Sequence, residues 1–450
     1  MHSQTPISAY PVRDCSPAAI PFPSVFGAEI ISITANRVDD ASIPIAAENP
    51  FGRRPENAEN FSYCNVTVSH THPGWGDTLR TQVWLPTENW NRRMQGIGGA
   101  GMVAGLFPWN EFPMYSAVGQ GYAAMTVDGG LPSWTTEDWA LLSPGNVNKY
   151  LLEDFASRSL ADGTLIAKSV IESFYGEAPQ YSYWAGCSQG GRQGMMLAQK
   201  YPTLYDGIHA SAPAFNWNHQ IVGNFWPQQV MNEMEEYPRP CELQALTDAA
   251  IEACDGLDGV KDGLISDMDA CYFDPFTLVG KRIGCPDVRG RIPISQAAAI
   301  IADAVWTGSN GNSPEYGMID TYDPDLSAFR KAGGKLVTFH GLADEILPFG
   351  NTRNYYEEVT KRDPDVADFY RYFETPGLGH CGGNIGPVPN GIFERLVDWV
   401  EHGKTPESLT ATGPPDKRGK VRNRILCPYP QKAKYDGKGD VNAYDSWSCH

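Results

Sequence analysis

The segment Gly186-Cys187-Ser188-Gln189-Gly190 sets a serine between two glycines, the spacing of a strand-to-helix elbow that presents a nucleophile. Only small flanking residues let the backbone turn so tightly. A serine hydroxyl needs a base to take its proton, and the base needs an acid to orient it. In this arrangement the chain order is Ser, then Asp or Glu, then His, each at the end of a strand. The apolar run Lys335 to His340 leads into Gly341-Leu342-Ala343-Asp344, which makes Asp344 the expected acid. The run Phe369 to Phe373 leads into Pro376-Gly377-Leu378-Gly379-His380, which makes His380 the expected base. His340 is the rival base, but it lies inside a strand and precedes the acid. Read alone, Asp344 also suits a helix cap and His380 an ordinary loop histidine. Together the three residues describe acyl transfer through Ser188.

Cys187 directly precedes Ser188, and Cys381 directly follows His380. If serine and histidine meet, their neighbours come within reach of a disulfide. Such a bridge would close a loop of about 194 residues and stabilise by roughly 5 kcal/mol at most. Among the ten cysteines, Cys254/Cys271 and Cys427/Cys449 are also spaced as bridges that close short loops. Cys15 with Cys64 and Cys241 with Cys285 remain if the other pairs are right, a connectivity that spacing leaves open.

The surrounding pattern must position these groups. Strands are expected at Ser62 to Ser69, Thr81 to Leu85, Ala123 to Val127, Tyr181 to Ala185 and Ile208 to Ala212. Helices are expected over Leu151 to Phe174, over residues 191–200 and over Gly391 to Glu401. In the first of these helices Leu152, Phe155, Leu160, Ile166 and Ile171 are the expected inward positions. Strand, turn, helix and strand in this order imply an α/β fold with a mostly parallel sheet. Residues 1–60 read as an irregular or loosely stranded lead-in with one apolar stretch, Ile30 to Val38. From about Asn216 to Arg330 buried strands are scarce, and four cysteines fall there. The expected organisation is a catalytic unit of residues 1–216 and 331–450 with an inserted lid, 217–330. A Pro- and Lys-rich tail follows.

The 450 residues carry 35 basic and 53 acidic side chains, a net charge of -18. That excess argues against nucleic acid or an anionic membrane as partner. No apolar window approaches membrane-spanning length, so the chain is read as a soluble globular protein. The cysteine count, with the glycan acceptor patterns Asn60-Phe61-Ser62 and Asn65-Val66-Thr67, points to a secreted protein. The chain opens Met1-His2-Ser3 with no basic-then-apolar leader, so a mature or recombinant form is expected. Sequence leaves the oligomeric state open.

Cys254-Asp255-Gly256-Leu257-Asp258-Gly259-Val260-Lys261-Asp262-Gly263-Leu264 sets three carboxylates among glycines. Calcium takes six to eight oxygens, and a compact turn of aspartates and carbonyls can supply them. The spacing is not an EF-hand, because Leu257 stands at the third position and no Glu at the twelfth. On its own the turn is a calcium loop or a solvated acidic turn.

With these motifs in hand, the sequence resembles the tannase and feruloyl esterase family. The resemblance rests on Gly186-Cys187-Ser188-Gln189-Gly190-Gly191-Arg192, Gly341-Leu342-Ala343-Asp344 and Gly379-His380-Cys381-Gly382-Gly383-Asn384, and runs over roughly residues 15–450. It implies an α/β-hydrolase fold, an inserted calcium-binding lid and hydrolysis of esters of phenolic or other aromatic acids. The family includes fungal feruloyl and chlorogenate esterases, tannases and a bacterial terephthalate monoester hydrolase. It also implies structural Ca2+ held by side chains of Asp255, Asp258 and Asp262 and carbonyls of Val260 and Leu264, with Cys254–Cys271 clamping the turn.

Gly96-Ile97-Gly98-Gly99-Ala100-Gly101 matches the family's first oxyanion donor. The family usually has Gly-Asn-Gly-Gly where this chain has Gly98-Gly99-Ala100-Gly101, so Gly99 and Ala100 are both candidates. The backbone N–H of Gln189 is the second donor. Phe225, Trp226, Trp306 and Tyr316 are candidate walls of an aromatic slot, or else part of the lid's own core. The expected partner is a small aromatic ester. The rivals are a galloyl, terephthaloyl or fungal metabolite ester, a peptidase using the same chemistry, and a catalytically idle secreted binding protein.

Overall fold

The computed structural model describes residues 14–42, 59–108, 111–308, 318–415 and 419–450. Nine strands form one sheet: β1 Glu29–Ala41, β2 Phe61–Thr71, β3 Leu79–Pro86, β4 Arg93–Ile97, β5 Ala123–Val127, β6 Tyr181–Cys187, β7 Gly207–Ser211, β8 Lys335–Gly341 and β9 Tyr370–Thr375. Their spatial order is β1-β2-β3-β5-β4-β6-β7-β8-β9. From β5 to β9 every neighbouring pair is parallel, while β1, β2 and β3 add an antiparallel wing.

Burial on both faces explains the near-continuous apolar strands. Trp184 and Leu336 turn to one face and pack with Leu160, Ile166, Val170, Ile171 and Phe174 of helix Ser159–Tyr175. Tyr183, Ala185, Val337 and Phe339 turn to the other, against Ile392, Phe393, Leu396 and Trp399 of helix Ile392–His402. Alternate residues of a strand point to opposite faces, so each strand feeds both cores.

Three sequence expectations change. The lead-in contains a regular strand, β1, whose mixed polar and β-branched residues suit an exposed sheet edge; the Cys15–Cys64 bridge fastens its approach to β2. The helix expected over Leu151 to Phe174 is interrupted. A π turn, Asp154–Arg158, separates Lys149–Glu153 from Ser159–Tyr175 and rotates buried Asp154, Phe155, Ala156 and Ser157 inward. The tail carries a hairpin, Leu409–Pro415 with Val421–Leu426, because Leu409, Ala411 and Leu426 find a place in the second core.

The chain between β7 and β8 leaves the sheet. It forms helices Trp217–Met234, Pro240–Cys254 and Gln296–Thr307 and a short hairpin, Arg282–Gly284 with Arg291–Pro293. Leu246, Ile294, Ala298 and Ala302 give this segment a small core of its own. Of the two glycan acceptor patterns, Asn60 is exposed before β2, whereas Asn65 lies within β2 with its carboxamide oxygen buried. Among the described residues, no helix is long and apolar enough to cross a membrane.

Candidate active site

β6 ends at Cys187, and helix Gln189–Lys200 begins two residues later. Ser188 joins them at φ 60° and ψ −121°, a conformation that L-residues rarely adopt. The surrounding backbone holds it there. Its N–H donates to Ser211 O at 3.1 Å, and its carbonyl accepts from Arg192 N–H at 2.9 Å and Ala214 N–H at 3.1 Å. A β-carbon on Gly186 would lie 2.5 Å from the carbonyl carbon of Gly190, so the elbow closes only with glycine there. Ser188 itself is partly exposed.

Asp344 follows β8 and His380 follows β9, on adjacent parallel strands, so their loops leave the same edge of the sheet. His380 Nδ1 lies 2.9 Å from Asp344 Oδ2, and the His380 backbone N–H donates to Glu345 Oε2 at 3.1 Å. The other Asp344 oxygen accepts the N–H groups of Ile346 and Leu347, at 2.9 and 2.8 Å. Burial alone would raise this carboxyl, but hydrogen bonds from His340 and His380 outweigh it and hold it well below the usual carboxylate range. With its Nδ1–H on Asp344, His380 keeps Nε2 free to accept a proton.

His340, set aside above as a rival base, turns out to serve the same acid. Its Nε2 lies 3.0 Å from Asp344 Oδ2 and 3.0 Å from Leu347 O. A carbonyl only accepts, so Nε2 carries the hydrogen. Nδ1 then accepts from Thr352 Oγ1–H at 2.8 Å.

The sulfurs of Cys187 and Cys381 are joined, with Cα atoms 5.9 Å apart. The bridge brings together the residue before Ser188 and the residue after His380. The remaining cysteines pair as Cys15–Cys64, Cys241–Cys285, Cys254–Cys271 and Cys427–Cys449.

Gly99 is corrected as an oxyanion donor. Its N–H is committed to Gln193 Oε1 at 2.8 Å, while Gln193 Nε2 donates to Ala104 O at 2.8 Å. Ala100 remains of the two candidates in that turn. Gln189 opens the helix after Ser188, where backbone N–H groups have no partner within the helix and the dipole favours negative charge. Arg192, the last residue of the elbow motif and given no role by the sequence, is fully buried under this turn. It donates to Gln189 Oε1 at 2.7 Å, Ala156 O at 2.9 Å and Phe155 O at 3.1 Å.

The acidic turn curls onto itself. Asp255 Oδ1 accepts the N–H groups of Asp262 and Gly263, at 2.8 and 2.9 Å, and Asp258 Oδ1 accepts that of Val260 at 2.9 Å. Asp258 Oδ2 is buried with no hydrogen-bond partner, and burial raises this carboxyl. A buried carboxylate oxygen without a hydrogen-bond donor is one that a hard cation can take. Asp262 is partly neutralised otherwise: Oδ1 accepts Leu264 N–H at 3.1 Å and Oδ2 meets Arg424. Among the proposed wall residues, Phe225 is exposed and Trp226 half-buried on helix Trp217–Met234, and Trp306 packs edge-on against Phe273. Tyr316 lies outside the described residues.

Comparison with known proteins agrees with this geometry. The family model for tannase and feruloyl esterase matches residues 64–290 and 306–450. A probable feruloyl esterase of Arthroderma benhamiae is 36% identical over 97% of this chain and 93% of its own. The solved tannin acyl hydrolase of Aspergillus niger superposes with a TM-score of 0.82, at 25% identity, over 96% of this chain and 93% of that one. Feruloyl esterase B of Aspergillus oryzae shares the fold, with a TM-score of 0.75 at 23% identity over 95% and 97% of the two chains. The chain therefore belongs to the tannase and feruloyl esterase family of carboxylic ester hydrolases.

Proposed function

We propose that the chain hydrolyses esters of phenolic acids, feruloyl esters foremost, through an acyl-enzyme on Ser188. The observation that carries this reading is the strained Ser188 elbow, tied by Cys187–Cys381 to an imidazole already seated on a buried, ionised Asp344. His380 takes the proton of Ser188 as the hydroxyl attacks the ester carbonyl, and Asp344 stabilises the imidazolium that forms. The N–H groups of Gln189 and Ala100 receive the oxyanion, each worth about 3 kcal/mol in a comparable hydrolase. The same imidazole then protonates the departing alcohol and activates the water that releases the acid.

The feruloyl assignment is supported by the relative from Arthroderma benhamiae, which bears that activity in its name. Residues 217–330 act as a lid whose aromatics shape the acyl slot. The turn from Asp255 to Leu264 binds structural Ca2+ through Asp255, Asp258 and Asp262 with the carbonyls of Val260 and Leu264; the ion stiffens the lid and takes no part in the reaction. Secretion is supported by five disulfides, which persist in oxidising compartments.

A fluorophosphonate probe tests the mechanism. The native chain is expected to label, and Ser188→Ala to lose the label. A native chain that stays unlabelled would make it an idle binding protein. Rates on methyl ferulate, methyl gallate, chlorogenate and a terephthalate monoester then decide the acyl group, with casein as the check for peptidase activity.

A further inference from the structure

Far from Ser188 along the sheet, the β2–β3 turn and the π turn enclose a second group of ionisable side chains. β2 stands four places from β6 in the sheet order, which is about 19 Å at ordinary strand spacing. His72, Asp77, Asp154 and Asp162 meet there, and they are 2%, 6%, 0% and 3% exposed.

The imidazole of His72 is held from both sides. Its Nε2 lies 2.8 Å from Asp162 Oδ2, and that same oxygen accepts from Arg158 Nε at 2.6 Å. A ring nitrogen anchored on a carboxylate in this way aims the opposite nitrogen and raises its basicity, as in carboxylate–histidine–metal arrangements. The opposite nitrogen, Nδ1, points at Asp77 Oδ2, 2.5 Å away, and at Asp154 Oδ1, 3.5 Å away. Asp77 Oδ1 accepts His72 N–H and Thr71 Oγ1–H, both at 2.8 Å, and Asp77 Oδ2 is hydrogen-bonded to His72 Nδ1.

Asp154 is the independent sign of a ligand. It has no exposed surface, and neither of its carboxylate oxygens has a hydrogen-bond partner. Leaving such a group unpaired is costly, and its neighbours are the acceptor Asp77 and the ring of His72. Both ring nitrogens of His72 already face carboxylates, so the carboxylate left unmatched in this buried site is Asp154. His72 Nδ1, Asp77 and Asp154 all lie within 4.8 Å of one another, as donors around one ion do. Around tetrahedral zinc, nitrogen and oxygen donors stand about 3.3 Å apart, so a bound ion would part His72 Nδ1 and Asp77 Oδ2 from their hydrogen bond of 2.5 Å. Trp75 lies over His72 with ring centroids 4.5 Å apart, and Tyr150 stacks on Trp75 at 5.0 Å, closing the site to water.

We propose that His72 Nδ1, Asp77 and Asp154 bind a first-row divalent cation of the zinc type, with Asp162 orienting the imidazole. One imidazole with carboxylates suits zinc or manganese better than calcium, which prefers a larger shell of oxygens. The ion would staple the β2–β3 turn to the π turn. That turn gives the carbonyls of Phe155 and Ala156 to Arg192, four residues beyond Ser188, so the staple also steadies the elbow helix. The only other such grouping among the described residues, Cys241, Cys285 and Asp287, is a disulfide beside an exposed acid and offers no thiolate.

The test is made on the full chain, produced in zinc-supplemented medium and freed of loose metal by gel filtration. Anomalous diffraction at the zinc edge should show a peak between His72 Nδ1, Asp77 and Asp154, and elemental analysis about one zinc per chain. Asp154→Asn, an isosteric change, should lose that zinc while keeping fluorophosphonate labelling of Ser188. A wild-type crystal with no peak at this place overturns the proposal whatever the variant does. An Asp154→Asn chain that retains its zinc overturns it equally. A wild-type chain without zinc whose Asp154 is protonated against Asp77 would identify the missing charge as a proton.

Discussion

His340 Nε2 and His380 Nδ1 converge on one oxygen of Asp344, at 3.0 and 2.9 Å. The acid is thus oriented from behind by a buried histidine while it orients the proposed base in front. His340 is in turn fixed by Thr352. It touches none of the proposed reacting atoms, so its part is to position. His340→Phe, which keeps a ring and removes the donor, should lower kcat by about 10 to 100-fold, the scale on which a small misplacement acts. KM should change little, and His340→Gln, which retains an N–H donor, should recover part of the rate. An unchanged kcat in the Phe variant would reduce His340 to core packing.

The same carboxylate sets an acid limit. Its pKa in the folded chain lies below the unfolded value of about 3.9, because the histidine hydrogen bonds outweigh burial. A group lowered in this way stabilises the fold fully above its unfolded pKa, and the contribution is lost as pH falls through the folded one. The urea midpoints of the native chain and Asp344→Asn should therefore be furthest apart above about pH 5 and converge toward pH 2. A gap that stays constant across that range would mean Asp344 is not held ionised.

What could be read in advance was what is local in the chain. Ser188 directly follows β6, and Asp344 and His380 lie in the loops after β8 and β9, so a short motif after an apolar run was enough to nominate each of them. The cysteines flanking two of them gave the bridge. Relationships between distant side chains left no such trace. Gly99 loses its N–H to Gln193, 94 residues away, and His72 meets Asp162 at a separation of 90. The role of His340 depends on which way its ring turns. β1 escaped because an edge strand needs only one weakly apolar face, and the π turn because one inserted residue barely disturbs helical periodicity.

The proposed calcium turn gives a metal-removal prediction. A cation that binds only the folded chain stabilises it by about 2.7 kcal/mol at a hundred times its Kd. For a chain this long, that corresponds to roughly 3 °C in Tm. EGTA should lower Tm by about that amount and added Ca2+ should restore it. In Asp258→Asn, which removes the orphaned oxygen, Tm should already be lowered and should no longer respond to either reagent. Equal responses in both chains would place the calcium effect elsewhere.

Two disulfides allow entropy and alignment to be separated. Cys187–Cys381 spans 194 residues and Cys427–Cys449 spans 22. Loop closure alone would make the first worth at most about 5 kcal/mol and the second about 3. Replacing either pair by alanines should therefore lower the unfolding free energy, and the longer loop should cost more. Only the first bridge lies behind both Ser188 and His380, so only its loss should let the two side chains drift apart. kcat should then fall by about 10-fold or more in Cys187→Ala/Cys381→Ala, since near-attack geometry tolerates little slack. In Cys427→Ala/Cys449→Ala it should stay near the native value. If both double variants keep full kcat while losing stability, the bridge at the elbow is a fastener of the fold and the alignment argument fails.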